Sequence, residues 1–326
     1  MKPKKALMLV VILASSLGAV SIGWRAQVFE ILEKEGPTAA VKSSQRAYFE
    51  DRDFKSLFQL AWSLYANGQL TRADGLVNKI LYQENWQLSD KEKANAFYLR
   101  GVIQHRRGNF PEAIGYYFRA KALYESLGEH SNVYKVNLFT ANLYIDMADT
   151  HIAESILEDT LVIAEEYGLQ LGIWYSIYSK AEFMKANYAN ALDLIEKAYD
   201  EYLSEDNMMG QVESLSNMGF YTMLLGDLEG GMEITLQAEE LINQIDDNKN
   251  RHYNLINMAL YNRCSGSKLG KQQQRQFVHK INHWADQEDD SEILWYLQFV
   301  QNFDCNQLQM NVEAAGGPTA PPPDNK

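Results

Sequence analysis

Cysteine, proline and clustered basic residues are all scarce in this 326-residue chain, and each scarcity removes a class of protein. The only cysteines are Cys264 and Cys305. They form no Cys-x-x-Cys pair, which excludes a rubredoxin-type metal site and a thioredoxin-type redox centre. In an oxidising compartment they can close a loop of about forty residues; otherwise they are two buried free thiols. Seven prolines and 20 glycines are few for an all-β protein of this length. Beyond the first five residues no block of lysines and arginines occurs, and the net charge is -13 with a pI near 5.0. Nucleic acid is therefore not an expected partner, because phosphate binding needs clustered positive charge.

Catalytic signatures are missing as well. There is no glycine-rich phosphate loop, nucleophile elbow or paired acid/base constellation, so neither an enzyme nor a cofactor is expected. His279 and His283 stand four residues apart, the spacing of a two-histidine metal site, but Lys280-Ile281-Asn282 between them lacks the glutamate a zinc protease uses as base. We read the pair as surface or cap-helix residues and expect no metal. Glu165-Glu166 and Asp289-Asp290 read as ordinary helix-surface charges, and His105-Arg106-Arg107 as a solvated helix end.

What is present is a substantial apolar content, 46% hydrophobic and 12% aromatic, with a charged fraction of 22% that argues against general disorder. At the N-terminus, Lys2, Lys4 and Lys5 precede an uncharged apolar run over residues 6–24, roughly 28 Å long as a helix. That length nearly spans a bilayer, and Trp24-Arg25 closes it with an interfacial aromatic and a charge. The run is either an uncleaved signal-anchor or a signal cleaved after the small-x-small triplet Ala19-Val20-Ser21. In both cases residues 1–5 form a cytoplasmic head and the rest is exported. With no Asn-x-Ser/Thr sequon in the chain, a bacterial envelope is the expected setting. The protein is then single-pass in the inner membrane with its C-terminal domain in the periplasm, or soluble there if the signal is removed.

Residues 25–53 contain two helical stretches that link the membrane segment to a repeat array and cap the array's first unit. From residue 54 to 285 a spacing recurs. Ala61, Gly101, Ala141, Ser179, Gly219 and Ala259 are separated by 40, 40, 38, 40 and 40 residues. Seven positions after each comes a turn: Gly68-Gln69-Leu70, Gly108-Asn109-Phe110, Ala148-Asp149-Thr150, Ala186-Asn187-Tyr188, Gly226-Asp227-Leu228 and Gly266-Ser267-Lys268. Five further stand Ala73, Ala113, Ala153, Ala191 and Gly231, with Lys271 breaking the pattern. Another seven bring Ile80, Ala120, Thr160, Ala198 and Ala238. A register held over six segments is the signature of a repeat array in which small residues let two helices approach. Leu57, Phe97, Tyr175 and Leu215 fill the space beside them. Residues 286–305 read as a solvent-facing cap helix. Residues 306–326, with Gly316-Gly317-Pro318 and Pro321-Pro322-Pro323, have a disordered composition.

Gly108-Asn109-Phe110-x-x-Ala113, with the small residue of the first helix and the alanines of the second, resembles the tetratricopeptide repeat (TPR) family. The period exceeds that family's usual ~34 residues and is similar to the extended-helix branch seen in kinesin light chains and bacterial peptide-sensing regulators. The proline that commonly ends a repeat is absent. The resemblance implies an all-α, right-handed solenoid of antiparallel helix pairs, here after one transmembrane helix, with a protein or peptide partner on its concave face, and it leaves the oligomeric state open.

Reading one helical step either side of each small residue gives that face: Phe58, Trp62 and Tyr65; Tyr98, Val102 and His105; Leu138, Asn142 and Ile145; Ser176, Lys180 and Phe183; Ser216, Phe220 and Met223; Ile256 and Leu260. So apolar a surface is either buried by a tightly wound superhelix or a groove for an apolar or amphipathic segment of a partner. Only Asn142 and Lys180 stand where chaperone-binding TPR domains place their carboxylate clamp. Two functions fit: an envelope scaffold for a pilus, secretion or motility assembly, and an exported peptide receptor acting with a separate transducer.

Overall fold

The computed structural model describes residues 25–83, 86–266 and 268–308. The apolar run at 6–24, the head before it and the tail beyond 308 lie outside the described residues. Among the described residues, no helix is long and apolar enough to cross a membrane.

Helices α1 (Arg25–Lys34) and α2 (Pro37–Asp51) precede six helix pairs. These are α3 (Phe54–Ala66) with α4 (Leu70–Asn78), α5 (Asp90–Arg106) with α6 (Phe110–Ser126), and α7 (His130–Asp146) with α8 (Thr150–Tyr167). Next come α9 (Gly172–Met184) with α10 (Tyr188–Ser204), α11 (Met208–Leu224) with α12 (Leu228–Ile245), and α13 (Asn248–Cys264) with α14 (Lys268–Glu288). A π-helical turn, Lys79–Gln83, extends α4, and α15 (Ser291–Asn302) ends the described chain.

The turns inside the pairs share one backbone solution. The residue that leaves the first helix is left-handed, glycine in four repeats but Ala148 (φ 61°) and Ala186 (φ 58°) in two. A left-handed alanine costs about 1–2 kcal/mol, which the packing on both sides sustains. In two repeats the next residue's side chain caps the second helix: the Asp149 carboxylate accepts from the Ile152 N–H at 3.4 Å and that of Asp227 from the Gly230 N–H at 2.9 Å, whereas Gln69, Asn109 and Asn187 make no such bond.

Close approach of the helices results from the small residues. Ala61, Ala141, Ser179 and Ala259 have no exposed surface, nor do Ala73, Ala113, Ala153 and Ala191 on the second helices. At Gly219 an added Cβ would lie 2.6 Å from Thr235 Oγ1 and 2.9 Å from the Gly231 carbonyl oxygen. No side chain fits between the backbones of α11 and α12 at that level.

Tight winding brings the two ends of the array together. Leu32 of α1 is buried beside Trp62 and Ala66 of the first repeat and Met209 of the fifth. At Gly36 an added Cβ would fall 1.9 Å from the Ile245 carbonyl oxygen, and Thr38 Oγ1 donates to the Asp246 carbonyl at 2.8 Å. From the other end, the indole of Trp284 on α14 covers the first repeat's turn, 2.7 Å from where a Gly68 Cβ would stand. The Glu288 carboxylate faces the backbone N–H groups of Leu70 and Thr71 at the start of α4, where Gln69 makes no side-chain cap.

Helix α15 departs from the sequence expectation. Instead of facing solvent it lies across the first helices of the last three repeats, with Ile293, Leu297 and Val300 at most 1% exposed. The physical reason is its aromatic row. Tyr296 and Phe299 pack on Phe183 of α9 and Phe220 of α11 with ring centroids 5.5–6.0 Å apart. Tyr296 also meets Tyr253 of α13. A disulfide joins Cys264 at the end of α13 to Cys305 just beyond α15, with Cα atoms 5.3 Å apart. The returning segment is thereby held against the sixth repeat.

Candidate functional site

The first helices of the repeats, together with α1, α10 and α15, line a central cavity of about 240 Å³. Its apolar wall carries Trp62, Tyr65, Val102, Phe139, Ile173 and Met209, and its polar wall carries Asn142, Ser176, Asn207, Glu213, Lys249 and Glu292. A smaller adjoining pocket shares Asn142, Ser176, Glu213, Lys249 and Glu292 with it and adds Lys180, Ser216 and Asn217.

Its floor is a ladder of charges linking four helices. His105 Nε2 and Lys180 Nζ each lie 2.8 Å from an oxygen of Asp146. Lys180 Nζ also lies 2.9 Å from Glu292 Oε1, and Arg106 Nε lies 3.8 Å from Glu292 Oε2. The Arg106 guanidinium donates to the carboxylate of Asp290, which has no exposed surface. Asp290 is in turn the N-cap of α15, accepting from the Ile293 N–H. Ser291 Oγ donates to the Arg106 carbonyl at 2.8 Å.

Burial acts to raise the Glu292 carboxyl, but Lys180 and Arg106 outweigh it and hold the group well below the usual carboxylate range. Burial acts to lower Lys180, and Asp146 and Glu292 reverse that, keeping it well above an ordinary lysine. Asp290 is raised, because burial outweighs the attraction of Arg106. The sequence reading of His105-Arg106-Arg107 as a solvated helix end, and of Asp290 as a surface charge, is therefore corrected: His105 and Arg106 are 4% and 5% exposed. Arg107 reaches Asp74 at 2.8 Å. Only the return of α15 brings Asp290 to Arg106, and nothing local in the sequence announces it.

No family model matches the chain, and no curated protein matches it in sequence. Solved structures do match. A Rap protein complexed with competence and sporulation factor superposes with a TM-score of 0.64 at 11% identity, over 97% of this chain and 88% of that one. The Rap conjugation gene regulator of the plasmid pLS20, in complex with the Phr* peptide, gives 0.57 at 16% identity, over 97% and 85%. A signal-transduction ATPase from Pyrococcus horikoshii with a tetratricopeptide repeat sensor gives 0.53 at 13% identity, over 87% and 46%. The chain has a TPR-like α-solenoid fold. Likeness at such identities concerns the fold, and what the solenoid binds has to be argued from its own side chains.

Of the residues expected on the concave face, the solenoid brings Trp62, Tyr65, Val102, His105, Asn142 and Ser176 to the cavity and Lys180 and Ser216 to the adjoining pocket. It turns the others into core. Phe58 stacks on Phe54, and Tyr98 packs between Trp62 and Phe139. Leu138 and Ile145 are buried with α8 and α9, and Met223 abuts Gly231. Phe183 and Phe220 lie under α15. Each first helix touches its own second helix and the first helices on either side, so one narrow stripe is left to face inward. That stripe includes the i, i+4 pairs Trp62/Ala66, Val102/Arg106 and Asn142/Asp146. Arg106 and Asp146, polar in otherwise apolar helix faces, were the available signal; Met209, Glu213, Lys249 and Glu292 carried none.

A second polar spot lies behind Tyr202, between α7 and α10. Glu205 is 7% exposed and neither carboxylate oxygen has a hydrogen-bond partner. Burial first, then Glu201 and Glu33, push its carboxyl up to about 7, against the opposing effect of Lys135.

Both environments can be tested by substitution. Arg106→Ala leaves the Asp290 carboxylate buried without its cation and should destabilise the fold by about 3–5 kcal/mol in urea unfolding. Adding Asp290→Asn should recover a large part of that loss; fully additive costs would contradict a direct pair. Glu205 has a folded value above its unfolded one, so its contribution is fully present below pH 4.5 and is lost as pH rises towards about 7. Glu205→Gln should therefore flatten the fall in melting temperature across that window, and an unchanged profile would refute the assignment.

Proposed function

We propose that the chain binds a short extended segment of a peptide or protein inside the central cavity. One observation carries this reading: the concave face forms a cavity bordered by Leu32 and Glu33 of α1 and by Glu292 of α15, and not a long open groove. An open TPR groove admits a long helix or a folded partner. This chamber, aromatic on one wall and rich in asparagine, serine and charge on the other, suits a ligand of a few residues whose backbone needs hydrogen-bond partners. The presence of named ligands in two solved solenoids of the same fold supports the choice. The receptor reading is thus favoured over the envelope scaffold. The scaffold keeps one point of support, the exposed apolar side chains Phe118, Val162 and Leu236 on the second helices.

We further propose that the chain works outside the cytoplasm, tethered to a bacterial inner membrane through residues 6–24. Support comes from the lysines ahead of that apolar run and from the Cys264–Cys305 disulfide, a bond that persists in oxidising compartments.

Photo-crosslinkers at Trp62 and, as control, at Phe118 test the binding reading in intact cells. A peptide-sized adduct formed from Trp62 alone is expected; large-protein adducts formed equally from both would favour the scaffold. For location, the expected result is an oxidised Cys264–Cys305 form in the envelope fraction on non-reducing gels. A reduced form confined to the cytosol would overturn it.

A further inference from the structure

Four of the chain's seven prolines fall within six residues, Pro318-Thr319-Ala320-Pro321-Pro322-Pro323. Proline fixes φ at about −65° and carries no N–H, so such a run favours the polyproline II helix, whose carbonyls have no internal partners. A segment of this kind is recognised by flat aromatic rings, with nearby donors reaching its carbonyls. Little ordering entropy is lost when it docks, because its conformation is already set.

A surface among the described residues has that chemistry. On α15, Trp295 is 40% exposed, whereas the other described tryptophans are buried or half-buried. Its ring stacks on that of Phe299, one turn further on, with centroids 5.8 Å apart and planes at 20°. Phe183 and Tyr296 meet the indole edge-on at 6.1 and 5.0 Å, which holds it flat. Neither the Trp295 indole N–H nor the amide of exposed Gln298 beside it makes a hydrogen bond among the described residues.

The proline run is within reach of this platform. Leu308, the last described residue, is buried in the apolar cluster that also holds Phe183 and borders Phe299. The Cys264–Cys305 disulfide fixes the chain three residues earlier. At helical and extended rises per residue Trp295 lies no more than about 31 Å from Leu308. The ten residues from Leu308 to Pro318 span up to about 33 Å. Tethered in this way, the run meets the platform at an effective concentration on the order of millimolar, which offsets the weakness of a contact made by two rings.

We propose that residues 318–323 dock in a polyproline II conformation on the Trp295–Phe299 platform of the same chain, with the Trp295 indole N–H and the Gln298 amide donating to carbonyls of the run. Docked there, the segment covers the exposed rings of α15 and keeps them from other chains. The platform is separate from the central cavity, which takes only Glu292 from α15, so the inference is independent of the ligand reading.

Fluorine magnetic resonance of the full chain labelled with 5-fluorotryptophan tests the contact, the Trp295 signal being the one lost in Trp295→Phe. Pro318→Ala, Pro321→Ala, Pro322→Ala and Pro323→Ala, introduced together, should shift that signal and leave the other tryptophans in place. A synthetic peptide of residues 309–326, added in excess to this variant, should return the signal to its original position, and the same peptide with the four prolines replaced should not. In the unmutated chain the position should be unchanged on dilution. A Trp295 signal indifferent to the four substitutions overturns the proposal, even where a foreign proline-rich peptide moves it, since the platform then serves another protein. Failure of the native peptide to restore the signal, or equal restoration by the proline-free peptide, does the same. A position that changes on dilution also overturns it, by assigning the contact to a second copy of the chain.

Discussion

The return of α15 across this solenoid is constrained by the buried pairing of Arg106 with Asp290. A guanidinium on the second repeat and a carboxylate at the N-cap of α15 are taken out of water together. Neither is tolerable alone, since an isolated buried charge costs several kcal/mol. The pair therefore acts less as a source of stability than as a constraint: α15 cannot leave without stranding Arg106, and Arg106 cannot turn outward without stranding Asp290. Glu292 then reaches Lys180, Lys180 reaches Asp146, and Asp146 reaches His105. The second, third and fourth repeats are thus tied to the same C-terminal helix.

That constraint acts on a stack already wound tightly by its small residues. Where Gly219 meets Gly231 there is room only for backbone, and the fully buried alanines at equivalent places hold the other pairs close. With the ends of the array meeting at Gly36 and Ile245, and again at Gly68 and Trp284, the concave surface becomes an interior. An interior chamber limits its occupant by size and demands that the occupant match the polar groups left inside. The Asn142 side-chain oxygen and Arg106 Nε and Nη1 are such groups, and their unmet requirements are a better guide to a ligand than the outline of the fold.

The helical repeat was legible in the sequence because its cause is local. A small residue every forty positions and a turn seven residues on both operate within one helix pair. The cavity was legible only in part. Trp62, Tyr65, His105 and Asn142 could be placed from the phase of the first helices, whereas Phe183 and Phe220 sit at the same phase and are covered by α15. No periodicity predicts a helix returning across three repeats, and Asp289-Asp290 looks like any acidic helix start until Arg106 is seen opposite. For the apolar run at residues 6–24 the sequence remains the whole basis of the reading.

Closure of the solenoid is the central claim, and distances across the seam test it most directly. Spin labels on α2 near Thr38 and on α12 near Asp246, read by pulsed electron resonance on the full chain, should give one narrow, short distance that broadens and lengthens in Arg106→Ala. A broad or long distribution in the unmutated chain would show the array to be open, and would contradict the closed chamber.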